Sequence, residues 1–189
     1  MHVKWMTMIG AVLGTVLIGV GTAAAEENFV DLKYSKWAED GITYMAKRGT
    51  VAGYGNGIFK PEALVTRAQA VTFMVRELYP DQLQRAVDGT TYSDVPTTHP
   101  FHREIMIAAK NGLASGFPNG TFRPDAPLSR AETAAFLTRA YSLSEGKKPA
   151  KWTDTDKHWA AAPILIMSSN GLVGGYSDAT FRPNQALTR

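Results

Sequence analysis

Between residues 37 and 47 the apolar positions fall at helical spacing, with Trp37, Ile42, Met45 and Ala46 available for one buried face. Comparable stretches recur at about 101–110 and 159–169. Each is followed by a glycine (Gly49, Gly112, Gly171), a residue that takes the left-handed conformation ending a helix without a Cβ penalty. A second kind of helix opens at Thr66-Arg67-Ala68-Gln69 and again at Ser129-Arg130-Ala131-Glu132. Both steps set a hydroxyl at the N-cap and Gln or Glu at the third helical position, the pattern of a capping box. Val71, Met74, Val75 and Leu78 continue the first of these helices, and Phe136, Leu137 and Ala140 the second. The pattern predicts an all-α chain of helix–loop–helix units.

The loops between the helices are copies of one another. Gly53-Tyr54-Gly55-Asn56-Gly57-Ile58-Phe59-Lys60-Pro61 returns as Gly116-Phe117-Pro118-Asn119-Gly120-Thr121-Phe122-Arg123-Pro124, and again as Gly175-Tyr176-Ser177-Asp178-Ala179-Thr180-Phe181-Arg182-Pro183. An aspartate precedes each copy (Asp31, Asp94, Asp154), and a hydroxyl-arginine step follows it (Thr66-Arg67, Ser129-Arg130, Thr188-Arg189). Such self-similarity defines the architecture. Asn56-Gly57 and Asn119-Gly120 are turn signals, and Phe59, Phe122 and Phe181 are expected to plug each loop into the core. The organisation expected is 26–79, 92–141 and 152–189 as repeats, with linkers at 80–91 and 142–151. The third repeat stops at its cap and first helical residue. Either the chain is a fragment of a longer surface protein, or that unit is incomplete.

Residues 1–25 change the setting. His2 and Lys4 precede an apolar run from Met6 to Val20, and Ala23-Ala24-Ala25 offers a cleavage site, so an export signal is expected. The run is short for a spanning helix, and no second apolar segment follows, so no membrane contact is expected after cleavage. Cysteine is absent, which excludes a disulfide scaffold, a thiolate metal site and a cysteine nucleophile. A net charge of +3 is too balanced for a nucleic-acid binder. His99-x-x-His102 with Glu104 lacks the spacing of a helical zinc motif, and Asp154-x-Asp156 lacks the glycine and distal glutamate of a calcium loop. Neither a nucleophile elbow nor a phosphate-cradling loop is present. A non-catalytic chain with no metal and no cofactor is expected.

Asp94-Val95-Pro96, His158-Trp159-Ala160, Asn119-Gly120-Thr121-Phe122-Arg123-Pro124 and Leu128-Ser129-Arg130-Ala131-Glu132 resemble the repeats of the S-layer homology family. The resemblance runs from Phe29 to Arg189. It implies a pseudo-threefold arrangement of the repeats around a central helix bundle. It also implies a secreted module at the cell wall or S-layer that binds an anionic secondary cell-wall polysaccharide, commonly one with a pyruvyl ketal. Gln69, Pro100-Phe101 and Ala179 depart from the family pattern. The alternative is a structural interaction protein, or the N-terminal part of a larger wall-associated protein, whose open third repeat is completed by another chain.

A ketal carboxylate suits the planar donor fork of arginine. Arg67, Arg130 and Arg189 each follow an N-cap, where the helix dipole disfavours a cation by about 0.3–1 kcal/mol and the free N–H groups favour an anion. Two readings stay open for these arginines: contact with the glycan, or pairing with Asp31, Asp94 and Asp154. The aspartates in turn either orient the arginines or cap the first helices. With Thr66, Ser129 and Thr188 they complete the candidate glycan site. Trp37, Trp159, Tyr54, Phe117 and Tyr176 either stack on a sugar or are buried, burial being the simpler expectation. Arg130→Ala is expected to weaken glycan binding by about 1.5–3 kcal/mol with the fold largely intact.

Overall fold

The computed structural model describes residues 29–87, 91–147 and 151–189; the expected export signal lies outside them. Among the described residues five α-helices follow in order: α1 (Lys36–Lys47), α2 (Arg67–Leu78), α3 (His102–Lys110), α4 (Arg130–Ala140) and α5 (Ala161–Ser169). Short 3-10 turns occupy Leu32–Tyr34 and Pro80–Gln84, the second inside the expected linker. Among the described residues, extended pairing is limited to isolated bridges, so the chain is all-α as the pattern predicts. Gly49, Gly112 and Gly171 stop the first helices at φ of 73°, 69° and 71°. Both capping boxes form: Thr66 and Ser129 accept from the amides of Gln69 and Glu132, whose side chains return the bond.

The helices pair across the boundaries of the sequence repeats. α2 lies along α3, and α4 along α5. Val71 and Val75 of α2 share one core with Ile105 and Ile107 of α3, Ala131 of α4 and Ile164 of α5. A separate, smaller core gathers Phe29, Leu32, Ile42, Met45 and Phe59 around α1. The face α1 buries is Ala38, Ile42 and Met45, related by one and two helical turns. Trp37 sits one residue off that face and is 56% exposed, contrary to the sequence expectation.

Three loops meet at the centre, where their backbones close a ring. The amide of Val65 donates to Leu187 O (2.9 Å), that of Leu187 to Leu128 O (3.0 Å), and that of Leu128 to Val65 O (2.8 Å). One residue from each repeat is thereby satisfied by the next, as buried backbone groups require.

Phe59, Phe122 and Phe181 are fully buried plugs, at 2%, 0% and 1% exposure. The aspartates neither cap the first helices nor pair with the arginines by hydrogen bond; each staples its own repeat's loop. Asp31 accepts from the amides of Phe59 (2.9 Å) and Lys60 (2.6 Å). Asp94 accepts from Phe122 (2.8 Å) and Arg123 (2.7 Å), and Asp154 from Phe181 and Arg182 (2.8 Å each). The staple holds Lys60, Arg123 and Arg182 at φ of 59°, 59° and 58°, a left-handed conformation that side chains disfavour.

At the turn position that glycine fills in the other two loops, the third carries a left-handed residue with a side chain. Ala179 takes φ 61° where the other loops place Gly57 and Gly120 at 70° and 76°. Asp178 braces this turn by accepting from the Thr180 hydroxyl and amide and from Arg182, which pull its carboxyl down to about 2. Left-handed backbone costs an L-residue about 1–2 kcal/mol, offset in part by the chain entropy glycine loses. Ala179→Gly is therefore expected to stabilise the fold by about 0.5–1 kcal/mol, read as a higher urea midpoint with an unchanged slope.

Candidate binding cleft between repeats

Each hydroxyl-arginine step reaches into the following repeat. Arg67 is 4% exposed and donates Nε to Phe122 O (2.9 Å) and Nη2 to Ser115 O (3.2 Å), both in the second repeat. Its Nη1 meets Glu132 Oε1 at 2.5 Å. Arg130 is 5% exposed and donates Nε to Phe181 O and Nη2 to Gly174 O, both at 2.8 Å, in the third repeat. Arg189 closes the cycle by donating Nη2 to Ala52 O (2.7 Å) in the first. Burial lowers the pKa of the Arg130 guanidinium from its ordinary value, since desolvation disfavours the charged form.

The acid partners differ between seams. Glu132 both closes the α4 capping box and neutralises Arg67. Gln69, at the corresponding place in the first repeat, closes its box without a charge and donates to the Tyr54 hydroxyl. Neither Arg130 nor Arg189 has a carboxylate in salt-bridge contact among the described residues.

Two cations flank each loop aromatic. Arg67 and Arg123 lie 4.9 and 4.0 Å from the Phe117 ring centre, Arg130 and Arg182 5.4 and 3.8 Å from Tyr176, and Arg189 and Lys60 4.6 and 4.7 Å from Tyr54. These are cation–π distances. Reading the repeats by their arginine steps alone missed the second cation, although Lys60, Arg123 and Arg182 stand between Phe and Pro in every copy.

The helix starts are not open to an anion as the sequence suggests. The amides of Arg67 and Ala68 donate to Ala126 O and Pro124 O, and those of Arg130 and Ala131 to Gln185 O and Pro183 O, all at 2.9–3.0 Å. Neighbouring loops thus take the donors that a helix N-terminus leaves unpaired. Thr66 and Ser129 are engaged in their boxes, while Thr188 pairs through its backbone with Leu64. His99 and His102 turn ring nitrogens to the Phe101 amide and Val95 carbonyl, and no metal-ligand cluster occurs among the described residues.

An open cleft of about 220 Å³ lies at the first seam, lined by Arg67, Phe117, Glu132, Phe136, Arg139 and Trp159, among others. Trp159 is 63% exposed and Tyr54 50%, so these aromatics are accessible where burial was expected. Gly116 forms part of the wall, and a Cβ there would stand 2.3 Å from Tyr92 Cε1.

The repeats, the stapled loops and the arginine seams make this an S-layer homology protein: the model of the S-layer homology domain matches residues 28–71, 91–134 and 153–189, and the chain belongs to that family. It is 35% identical over 153 residues to cell surface glycoprotein 1 of Acetivibrio thermocellus (75% of this chain, 7% of the relative) and 32% identical over 143 residues to that organism's cellulosome-anchoring protein (72% and 32%). An S-layer protein of Bacillus licheniformis is 28% identical over 188 residues, covering 97% of this chain and 21% of its own. The chain thus spans a third or less of the length of these relatives.

Two expectations follow. Because its guanidinium is buried and doubly bonded to carbonyls, Arg130→Ala should lower folding stability by about 1.5–3 kcal/mol, measured by urea unfolding, and not leave the fold intact. The staples should also make the fold acid-sensitive. For Asp31 and Asp94, desolvation acts upward but is outweighed by the loop amides, which donate to the carboxylates and leave both pKa values below the usual 3.8. A depressed folded pKa contributes stability that is present above the unfolded value and lost as pH falls through the folded one. Urea midpoints should therefore fall below about pH 4, and Asp94→Asn should be less stable at neutral pH with a shallower acid loss.

Proposed function

We propose that this chain is a non-catalytic anchoring module of an exported cell-surface protein and that it binds a carboxylate-bearing cell-wall polysaccharide. The observation that carries this reading is the seam cleft, where Arg67, Arg139, Phe117 and Trp159 combine positive charge with apolar ring faces. Acidic sugars present the complementary chemistry, a carboxylate on a ring whose C–H face is apolar. Family membership and the cell-surface and anchoring names of its relatives point the same way. A pyruvyl ketal is the carboxylate best placed to project from an otherwise neutral glycan. Arg67, Arg130 and Arg189 shape the seams, Arg130 and Arg189 adding positive potential where Arg67 is neutralised by Glu132, and Asp31, Asp94 and Asp154 fix the loops that form the walls. The capping hydroxyls of Thr66 and Ser129, with Thr188 at the third seam, position these arginines. A longer surface protein, such as the relatives are, is the cargo such a module would hold.

Sedimentation with purified wall polysaccharide tests the reading. The protein is expected to pellet with native glycan and to stay in solution once the ketals are removed by mild acid. Equal pelleting with both samples would reject the carboxylate as the recognised group.

A second reading has its own observation. Among the described residues, no α-helix lies along α1 as α2 lies along α3, and Tyr34, Trp37 and Tyr44 stay exposed at 84%, 56% and 41%. This favours an interaction protein in which another chain covers α1. It predicts concentration-dependent oligomers in analytical ultracentrifugation that are indifferent to the glycan.

A further inference from the structure

The first seam cleft runs along α4, and its two ends differ in charge. Glu132, Phe136 and Arg139 lie on one face of that helix at intervals of four and three residues. Glu132 and Arg139 are therefore about 10 Å apart along the axis. At the Glu132 end, Arg67 donates all of its guanidinium nitrogens to internal acceptors, and its charge is met by the Glu132 carboxylate. An anion arriving there finds the donors engaged and a carboxylate already in place.

The Arg139 end is the opposite. Its guanidinium is exposed and makes no hydrogen bond or ion pair among the described residues. The reason lies in a difference between repeats. Arg76 occupies the same place in α2, nine residues after Arg67 as Arg139 is after Arg130. Arg76 faces Glu104 of α3 at 3.6 Å. The position in α5 that corresponds to Glu104, eight residues before the helix-stopping glycine in both repeats, is Pro163. Proline offers no charge, so the α4–α5 pair leaves its arginine without the carboxylate that the α2–α3 pair provides. Trp159, in the turn just before α5, lines the same cleft and is 63% exposed.

We infer that Arg139 and Trp159 form the specificity-determining subsite of the cleft, seating an acidic pyranose with its carboxylate on Arg139 and its ring on Trp159. This rests on the anionic-glycan reading above and assigns the recognition to residues outside the hydroxyl-arginine steps. Arginine grips a carboxylate through two parallel N–H donors, and the indole face excludes water from one side of the sugar.

Titration calorimetry on the full chain provides the test, with a 4,6-O-pyruvyl hexoside and a hexuronic acid oligomer as probes, each beside its neutral parent. The wild type is expected to bind at least one acidic probe and neither neutral parent. Arg139→Gln should weaken that binding by about 10- to 100-fold, and Trp159→Ala by roughly tenfold. Arg139→Lys should recover part of the loss, since a point charge replaces a fork. Urea midpoints of these variants should match the wild type because both side chains are exposed, and Lys36→Ala, the same charge change on α1, should bind normally. Which acidic probe binds tells a ketal from a uronic acid. Wild-type binding that survives Arg139→Gln and Trp159→Ala would overturn the subsite while leaving the glycan reading intact. A wild type that binds neither acidic probe, or binds the neutral parents equally, would overturn both.

Discussion

Backbone polar groups buried where three loops converge must be paired within the protein, and this requirement organises the rest of the molecule. The ring through Val65, Leu128 and Leu187 meets it at the centre, and the helix-start amides meet it further out by donating to Ala126, Pro124, Gln185 and Pro183. The arginines repeat the scheme with side chains, since Arg67, Arg130 and Arg189 each donate to loop carbonyls of the next repeat. Each repeat staples its own loop through its aspartate, but further loop carbonyls and the helix starts are satisfied by a neighbouring repeat. The units that recur in sequence are consequently not the units that fold, because the core joins the second helix of one repeat to the first helix of the next.

This arrangement explains why the cleft lined by Arg67 sits at a seam. A loop drawn tight by its aspartate and plugged by its phenylalanine makes one rigid wall, and a helix of the neighbouring repeat makes the other. Both walls are bonded to each other through an arginine, so the cleft geometry is coupled to folding. The cost of that design is that the conserving bonds consume the donors. Arg67 is nearly saturated by Phe122, Ser115 and Glu132, and a side chain so engaged serves the architecture before it serves a ligand. Functional capacity then falls to groups the architecture does not need, as at Arg139 and Trp159.

Much of the fold was legible because its signals are local. Helix stops at Gly49, Gly112 and Gly171, capping boxes at Thr66 and Ser129, and the buried Phe59, Phe122 and Phe181 each depend on a few neighbouring residues. The candidate site was legible only in part. The sequence singles out the arginines and aspartates, and both are central, but in roles set by contacts 27 to 137 residues away in the chain. Asp31, Asp94 and Asp154 cap no first helix and hydrogen-bond to none of the Arg67, Arg130 and Arg189 side chains for that reason; Asp31 meets Arg189, and Asp154 meets Arg130, only through Coulomb attraction. Trp37 and Trp159 were expected inside because hydrophobicity alone reveals neither which side of a helix finds a neighbour, as at Trp37, nor which way a turn residue faces, as at Trp159.

The sequence by itself determined the repeat, the all-α class, the turn and cap chemistry and the absence of cysteine chemistry, since each follows from residue type and short-range spacing. Tertiary structure alone decided which repeat each arginine enters, which carboxylate it meets and which cation is left over. Those outcomes depend on the pairing of helices across seams. Glu104 and Pro163 correspond by their spacing from the stop glycines, but their bearing on Arg76 and Arg139 emerges only from α2 lying on α3 and α4 on α5.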